Sequence, residues 1–357
     1  MRARLLLCLL AWLLSACERT PEANRQLDNY LERVGRVLDQ PVQPFEVERL
    51  SQYRLPERRL RLLEIPEQRI GLLELLVESR RCQTLQQRVS ERNSSLGKVM
   101  PWQHRLAFDG ALIQAIDDCL QVLAEDEDRA QLRSDLSAIA EEKRAALPAV
   151  FWNALNASPE FEYYLRFDDQ PLPLSQQPLE DRRALTALQQ LTEVGNGLPA
   201  QLPPDRARLE AYFQALQQSQ RSSQLIHSLT RLTHALQQAV IMLDSRQAQQ
   251  LCPLGQPTAK SRILLTVFTT FYAGDIQPQM AQVQRLGQPW HATLTRLAEV
   301  PGIPPANVEY LSELQALWQT YQDSVKQHSL AWQQVLGACQ MQPGQPGWQS
   351  PREQHSN

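Results

Sequence analysis

The chain has 357 residues and a formal net charge of −3, with 43% hydrophobic and 21% charged residues. This composition can bury a sizeable core, which argues against wholesale disorder. A pI near 6.1 offers no global electrostatic basis for binding nucleic acid. We therefore expect one large or two modest folded domains and no nucleic-acid partner.

The amino-terminal residues have the pattern of an export signal. Arg2 and Arg4 form a basic start, and residues 5–14 form an uncharged apolar stretch. That stretch is too short to span a bilayer, which needs about 20 apolar residues, but it suits a signal peptide. The segment Leu14-Ser15-Ala16-Cys17 resembles the lipobox of bacterial lipoproteins. An ordinary signal peptide followed by a chance cysteine is the alternative.

The lipobox resemblance implies three modifications. Cleavage between Ala16 and Cys17 would remove residues 1–16 as a lipoprotein signal peptide. Cys17 would carry a diacylglyceryl thioether, and its new amino group would be acylated, typically with palmitate. Several acyl chains anchor a protein far more firmly than a single chain does. The resemblance therefore implies a membrane partner, reached through the lipid anchor.

Residue 18 sets the expected destination of the lipoprotein. In the best-studied Gram-negative systems an Asp after the lipidated cysteine retains lipoproteins in the inner membrane, but this chain has Glu18. By that analogy we expect the inner leaflet of the outer membrane, with the body facing the periplasm. The inner membrane is the alternative.

Four further cysteines remain after the lipobox. An even number in an oxidising compartment predicts two disulfides, for which three pairings are possible. We favour Cys82–Cys119 and Cys252–Cys339, because each pair stays within one half of the chain. A zinc site is a poor alternative, since there is no C-x-x-C pair and no His lies close to these cysteines. We expect no metal and no cofactor.

Helical periodicity dominates the first half of the chain. It predicts helices at about 22–39, 66–92, 103–124, 126–146 and 148–166. Pro148 is predicted to begin the last of these, because proline is favoured in the first turn of a helix.

The segment 167–178 is rich in Pro and Asp and is the best candidate domain boundary. It divides the mature chain into an amino-terminal helical half at 17–170 and a carboxy-terminal helical half at 171–339, unless both form one elongated unit. The remaining residues, 340–357, are rich in Gln, Pro, Gly and Ser, which predicts a disordered tail.

The second half shows longer amphipathic patterns. They predict helices at about 205–250, at 276–300 with a kink near Gly287-Gln288-Pro289, and at 307–339. The fold class that follows is all-α, a multi-helix bundle with long amphipathic carboxy-terminal helices. Residues 263–273 are β-branched, aromatic and uncharged, so a strand is possible on propensity. We prefer a buried helix there, because no partner strand is visible.

The histidines do not form a metal-binding or catalytic motif. His227 and His234 are seven residues apart, about 10.5 Å along a helix, so one metal ion cannot easily bind both. With Arg231 and Gln238 they form a polar stripe that we expect to face solvent. His328 interrupts the apolar seam of the 307–339 helix, which predicts a packed, hydrogen-bonded histidine.

The dipeptide Glu78-Ser79 resembles the Glu-Ser of lysozyme-like lytic transglycosylases, in which the Glu is a general acid of raised pKa. The substrate-groove motifs of that family do not follow it. Arg80 and Arg81 would also lower the pKa of a neighbouring carboxyl. No other catalytic, nucleotide-binding or calcium-binding motif is present. The sequence therefore assigns no catalytic residue.

A basic cluster lies within the net positive segment 45–105, which precedes a net negative segment at 106–170. One hypothesis is that this cluster contacts anionic lipid headgroups or lipopolysaccharide near the anchor. The alternative, which we prefer, is pairing with the acidic helices of the same half. The cluster consists of Arg54, Arg58, Arg59 and Arg61.

Several local features together resemble a known family. They are the lipobox, the stretch Leu55-Pro56-x-Arg58-Arg59, the pair Phe271-Tyr272 followed by Ile276-Gln277-Pro278, and a carboxy-terminal helix containing Trp. The chain is similar in these features to the uncharacterised proteobacterial lipoproteins grouped as domain of unknown function 3080. The resemblance implies a lipoprotein and assigns no catalytic residue.

We expect a non-enzymatic envelope lipoprotein that binds an envelope protein or another envelope component through a helical face or groove. An apolar groove along the 205–250 or 307–339 helix would support this function. The alternative is a cell-wall-acting enzyme that cleaves peptidoglycan, which requires a cleft holding a carboxylate or His of strongly perturbed pKa. A purely structural spacer is a third hypothesis.

Overall fold

The computed structural model describes residues 20–65, 81–166, 170–174 and 179–348. Within these ranges all regular secondary structure is helical, and no strand is present. The predicted all-α, multi-helix class is therefore confirmed. None of the helices in the described ranges combines the length and the hydropathy that a membrane span requires.

The first part of the chain folds into helices of mixed length. They are α1 (Glu22–Leu38), a 3₁₀ helix (Val47–Tyr53), α2 (Arg58–Arg61), α3 (Gln83–Asn93), α4 (Ser95–Lys98), α5 (Trp102–Val122), a 3₁₀ turn (Glu127–Arg129), α6 (Ala130–Asn156) and α7 (Pro159–Leu165).

The second part contains the longest helix. Its elements are α8 (Leu179–Gly197), α9 (Arg206–Gln217), α10 (Arg221–Leu243), α11 (Arg246–Gln249), a 3₁₀ turn (Pro253–Gly255), α12 (Ala259–Thr266), a π-helix (Val267–Ile276), α13 (Gln277–Leu297) and α14 (Pro305–Ala338). The predicted helix at 307–339 corresponds to α14.

Two predicted helix boundaries are wrong. Pro148 does not begin a helix but lies inside α6. Its ring removes one backbone hydrogen bond, and the helix continues because nearly every residue from Leu147 to Asn156 is buried. The predicted helix at 205–250 is interrupted at 218–220, where Ser219 donates a hydrogen bond to Asp181, and again at 244–245. The Ser219 hydroxyl also accepts a hydrogen bond from the backbone N–H of Arg221 at 3.2 Å, and local side-chain-to-backbone bonds of this kind compete with the helical pattern.

The predicted helix at 276–300 corresponds to α13, which runs through Pro289, and the kink near Gly287 stays a prediction. Gly287 is needed for a close approach between two helices. A Cβ atom at this position would clash with the ring of Trp318 on α14. Gly287 therefore allows α13 and α14 to pack closely.

Residues 263–273 are helical, as preferred from the sequence, but their geometry changes along the segment. The end of α12 passes directly into the π-helix Val267–Ile276. Runs of π-helix are rare and are frequently found at functional sites. Here the π-helix places Tyr272 in the core.

The first helix, α1, packs against elements that follow it by about two hundred residues. Asn24 contacts His227, Asp28 pairs with Arg231, and Gly35 packs beside Met242. The paired positions advance together, so α1 and α10 run in the same direction. The main hydrophobic core consequently contains residues from both predicted halves of the chain. The division at residue 170, next to undescribed segments at 167–169 and 175–178, stays a prediction.

A smaller apolar cluster joins α3, α5 and the first half of α6. The disulfide Cys82–Cys119 lies inside it, with Cα atoms 5.4 Å apart. The second disulfide, Cys252–Cys339, fixes the segment after α11 to the carboxyl end of α14, with Cα atoms 5.2 Å apart. Both pairings are those favoured from the sequence.

The chain after α14 is ordered further than expected. Residues 340–348 turn back onto the body, Met341 is fully buried, and Trp348 packs against the main core. The prediction of disorder from residue 340 is therefore wrong as far as residue 348. Residues 340–348 pack onto the body because two large apolar side chains, Met341 and Trp348, lie among the polar residues of this segment.

We predict that removing either disulfide destabilises the protein. In the chain-entropy model, loops of 37 and 87 residues each contribute about 4 kcal/mol to the free energy of unfolding. Paired Cys→Ser variants should show this loss in guanidinium unfolding followed by circular dichroism. The wild type under reducing conditions is the control, and its free energy of unfolding should fall by more than that of either variant, because both disulfides are then broken. Two or more free thiols in denatured, unreduced protein, beyond Cys17, would contradict the pairing.

Candidate functional site

Three of the four residues in the polar stripe of α10 are buried and the fourth, Gln238, is partly buried, so the expectation that the stripe faces solvent is wrong. His227, Arg231 and His234 are only 4%, 9% and 8% exposed. Helix α1 covers the first two with matching polar groups. The Asn24 side-chain nitrogen lies 3.4 Å from Nε2 of His227, and Arg231 donates to Asp28 at 2.8 Å. Polar partners of this kind make the burial of the stripe tolerable.

The segment between α1 and the 3₁₀ helix closes over the rest of the stripe. The Phe45 ring lies 4.6 Å from the Arg231 guanidinium carbon and meets the His234 ring edge-on at 5.5 Å. Nε2 of His234 donates to the carbonyl of Gln43 at 3.1 Å. Burial lowers the pKa of His234, and the hydrogen bond to Gln43 opposes this shift only in part. His234 is therefore a neutral hydrogen-bond donor near pH 7.

Beside this covered stripe lies an open cavity of about 340 Å³, which we call the groove. The 3₁₀ helix Val47–Tyr53, α10 and α14 each supply part of its wall. The side chains that define its chemistry are Arg49, Tyr53, Thr233, His234, Glu313 and Thr320. A concavity is thus present along the two helices where the sequence analysis looked for one, but its lining is more polar than expected.

The groove holds opposite charges in partly dehydrated surroundings. Burial, and then the neighbouring Glu309, raises the pKa of the Glu313 carboxyl. Burial also raises the pKa of the Tyr53 hydroxyl, which feels Glu313 and, with opposite sign, Arg49. An acid, a cation, a phenol and an imidazole therefore face one small space. This arrangement can bind a ligand that carries both charged and hydroxyl groups.

One atom in the groove wall lacks a partner. The Thr233 hydroxyl oxygen is buried and makes no hydrogen bond within the described residues. Leaving such a group unsatisfied costs about 1–3 kcal/mol. Thr233 is the one residue with such an atom among the described lining residues of the groove.

A second concavity is wider, about 730 Å³, and lies between residues 88–111 and the start of α9. Its rim includes the strongly exposed Leu96 and Val99. None of the buried side-chain atoms that lack a hydrogen-bond partner in the described part of the chain lines this cavity. The groove is therefore the better-defined candidate site.

With this geometry established, comparison with known proteins identifies the family. A family model described as Protein of unknown function (DUF3080) matches residues 27–343. The chain belongs to the DUF3080 family. No curated protein and no solved structure matches the chain.

The DUF3080 match includes every residue that lines the groove. Sequence reasoning did not identify Arg49, Tyr53, Thr233 or Glu313 as site residues. They come from three separate segments, and each has the spacing of an ordinary helix-surface residue. No motif marks them, so only the three-dimensional arrangement brings them together.

His328 is packed and hydrogen-bonded, as predicted. It is fully buried, and its Nε2 accepts a hydrogen bond from the Tyr30 hydroxyl at 2.7 Å. Nε1 of Trp332 donates to the same hydroxyl at 2.9 Å. Burial lowers the pKa of His328 to about 3. This buried network, which we call the His328 cluster, holds α1 against α14.

The π-helix completes the His328 cluster. Its Tyr272 ring meets the His328 ring edge-on, with centroids 4.6 Å apart. Its Phe268 ring lies 5.0 Å from Trp332. The π-helix therefore supplies packing to a closed core network, and none of these rings lines the groove.

The basic cluster mostly pairs within the protein. Arg58 forms a bidentate ion pair with Glu162, at 2.9 and 2.7 Å. The hydrogen bonds from Arg58, followed by those from Arg61, lower the pKa of the Glu162 carboxyl. Arg61 is 2% exposed and donates to the backbone of Pro56 and to Glu162. Contact of Arg61 with an anionic surface is thus excluded, because burial removes its guanidinium from the surface.

The two remaining members of the cluster are exposed. Arg59 pairs with Glu57 at 2.7 Å, and Arg54 lies on the surface nearby. Their contact with anionic headgroups stays a prediction. The lipobox residues Ala16 and Cys17, and the dipeptide Glu78-Ser79, lie outside the described residues. Among the described residues no group of three or more potential ligands is arranged to hold a metal ion.

We predict that His328 makes the protein less stable in mild acid. Its pKa is about 3 in the folded protein, against an ordinary value of 6.5. Stability from the neutral ring is therefore complete above pH 6.5 and is lost as the pH falls toward 3. Between pH 7 and pH 5 the expected loss is about 2 kcal/mol.

The His328→Gln variant keeps a hydrogen-bonding side chain but cannot titrate in this range. Urea unfolding at pH 7 and pH 5 should show a smaller acid-induced loss in the variant than in the wild type. Equal losses in both proteins would show that His328 does not carry the effect.

Proposed function

We propose that this protein is a lipid-anchored binding protein of the cell envelope, and that it holds a polar segment of an envelope protein in the groove without catalysing a reaction. The groove is the observation that carries the proposal. It combines a cation, Arg49, with an acid, Glu313, and a buried hydroxyl, Thr233, that has no partner of its own. A peptide segment offers the backbone and charged groups that such a lining recognises.

The dimensions of the groove support a short segment rather than a whole domain. About 340 Å³ is near the lower end of the volumes typical of ligand sites. Its walls lie on α10 and α14, which belong to the main core and offer a pre-formed surface. A rigid wall reduces the entropy that binding would otherwise lose.

The proposed location is the inner leaflet of the outer membrane. Support comes from the lipobox ending at Cys17 and from Glu18 in the following position. The two disulfides agree with an oxidising compartment such as the periplasm. The body would then face the periplasm while the acyl chains hold it to the membrane.

A cell-wall-acting enzyme is the second candidate function. The raised pKa of Glu313, in an open groove, is the specific observation in its favour. Most glycosidases, however, need two carboxyl groups facing the scissile bond. Glu313 is the one carboxylate among the described lining residues of the groove. The groove therefore favours binding over hydrolysis.

We predict that Cys17 carries the lipid. Radiolabelled palmitate should label the wild type. Cys17→Ala should abolish the label, because it removes the cysteine to which the lipid is proposed to be attached. Cys8→Ala is the matched control, since Cys8 leaves with the signal peptide and its loss should not affect labelling. Labelling that persists in Cys17→Ala would overturn the anchor.

We also predict that the groove contacts the partner. A photo-crosslinking residue at Gln52 or Thr320, both exposed in the groove wall, should capture a discrete envelope protein in intact cells. The control position is Ile241, which is exposed on α10 outside the groove. Glu313→Arg should reduce crosslinking at Gln52 at least tenfold, because it removes one of the two opposite charges.

The same variants separate binding from catalysis. If the protein is an enzyme, the wild type should release soluble fragments from purified peptidoglycan. Glu313→Gln should then reduce that rate by about 100-fold or more, as expected for loss of a general acid. Fragment release of this kind, with no discrete crosslink, would favour the enzyme.

A further inference from the structure

The first described residues lie very close to the proposed lipid anchor along the chain. Thr20 is three positions after Cys17, and α1 begins at Glu22. A fully extended chain covers at most about 3.6 Å per residue, so Thr20 lies within about 11 Å of Cys17. The polar headgroup layer of one leaflet is about 6 Å thick. A body fixed at Thr20 therefore has to rest on or near the headgroups.

Helix α1 does not act as a loose tether, because it is packed into the body from its first turn. The side-chain nitrogen of Gln279, on α13, donates to Gln26 at 2.6 Å and lies 3.5 Å from the carbonyl of Ala23. Asn24 contacts His227 on α10. The surface around the start of α1 is thereby fixed relative to the anchor.

A short loop, residues 170–174, lies beside the start of α1. Gln282, one turn after Gln279 on the same face of α13, donates to the Pro173 carbonyl at 2.8 Å. The Leu172 backbone donates to Ser228, the residue after His227, at 2.9 Å. Leu172 is buried, whereas Pro173 and Leu174 are exposed, Leu174 by 42%. The described part of this loop therefore presents two exposed apolar residues, Pro173 and Leu174, near the start of α1.

We propose that the start of α1 and the exposed residues Pro173 and Leu174 form part of the face that rests on the leaflet carrying the lipid. This inference depends on the proposed lipid anchor. Arg25 pairs with Glu22, so their opposite charges are adjacent at the start of α1. That surface suits zwitterionic headgroups such as phosphatidylethanolamine. The acyl chains supply the affinity, and Leu174 sets the orientation.

The opposite end of α1 provides a matched control. Asp39, just after α1, pairs with Lys260, which follows the 3₁₀ turn Pro253–Gly255. Leu254 in that turn is 97% exposed. The 17 residues of α1 place this end about 25 Å from the start of the helix. Leu254 is thus an exposed leucine remote from the anchor.

The test compares a fluorescent probe at these two positions in the full-length, lipidated protein. Leu174→Cys and Leu254→Cys would be labelled with a nitrobenzoxadiazole dye, with both native disulfides intact. The proteins are then placed in vesicles of phosphatidylethanolamine and phosphatidylglycerol, with or without spin-labelled lipid. The probe at 174 should be quenched by spin-labelled lipid at least twofold more than the probe at 254. Equal quenching, or stronger quenching at 254, overturns the proposed orientation.

Flotation of the same samples separates the two proposals. If the protein floats with the vesicles but the probe at 174 is not preferentially quenched, only the orientation is overturned. If the protein carries no acyl chain and does not float, the lipid anchor and the orientation are both overturned. Because Leu174 is exposed, the Cys variant should fold, and an unchanged helical circular dichroism spectrum verifies this.

Discussion

The packing of α1 against α10 and α14 is the interaction on which the rest of the structure depends. The Tyr30 hydroxyl donates to His328 and accepts from Trp332 in a fully buried position. Burial raises the pKa of Tyr30 well above its ordinary value, so the hydroxyl stays a donor. Without α1, His328 and Trp332 would lose the Tyr30 hydroxyl and keep only their mutual hydrogen bond at 3.2 Å, inside a core where weakly satisfied polar groups are costly. The first helix therefore completes a core built from the last helices.

The same packing explains why the polar stripe of α10 was misjudged. The apolar positions of this helix, such as Leu229 and Leu236, are buried as their periodicity predicts. His227 and Arg231 have the spacing of a solvated flank, because periodicity reports only the chemistry of one helix. Their partners, Asn24 and Asp28, lie about two hundred positions earlier. Complementarity between distant polar residues leaves no pattern in a single sequence.

Other outcomes follow the same division between local and distant information. The apolar seam of α14 depends only on local spacing, and it correctly predicted a helix. The even number of cysteines, with the expected oxidising compartment, correctly predicted two disulfides. Pro148 failed as a helix start because burial of the following turns outweighs its missing hydrogen bond. Most of the residues that line the groove, and its polar character, escaped prediction, since three segments far apart in sequence form it. Residue patterns thus did not reveal which residues, distant in sequence, come together to form the site.

The arrangement of α1 also bears on how the proposed anchor and the proposed binding site are related. Arg231, which pairs with Asp28 on α1, lies between Thr230 and Thr233, both of which line the groove. One wall of the groove is therefore packed directly against the helix that follows the tether. With an anchor at Cys17, the groove would be held at a fixed height and orientation above the leaflet. A long flexible linker would let the body search a wide volume, whereas the proposed short connection would restrict binding to partners that present a polar segment close to the membrane surface.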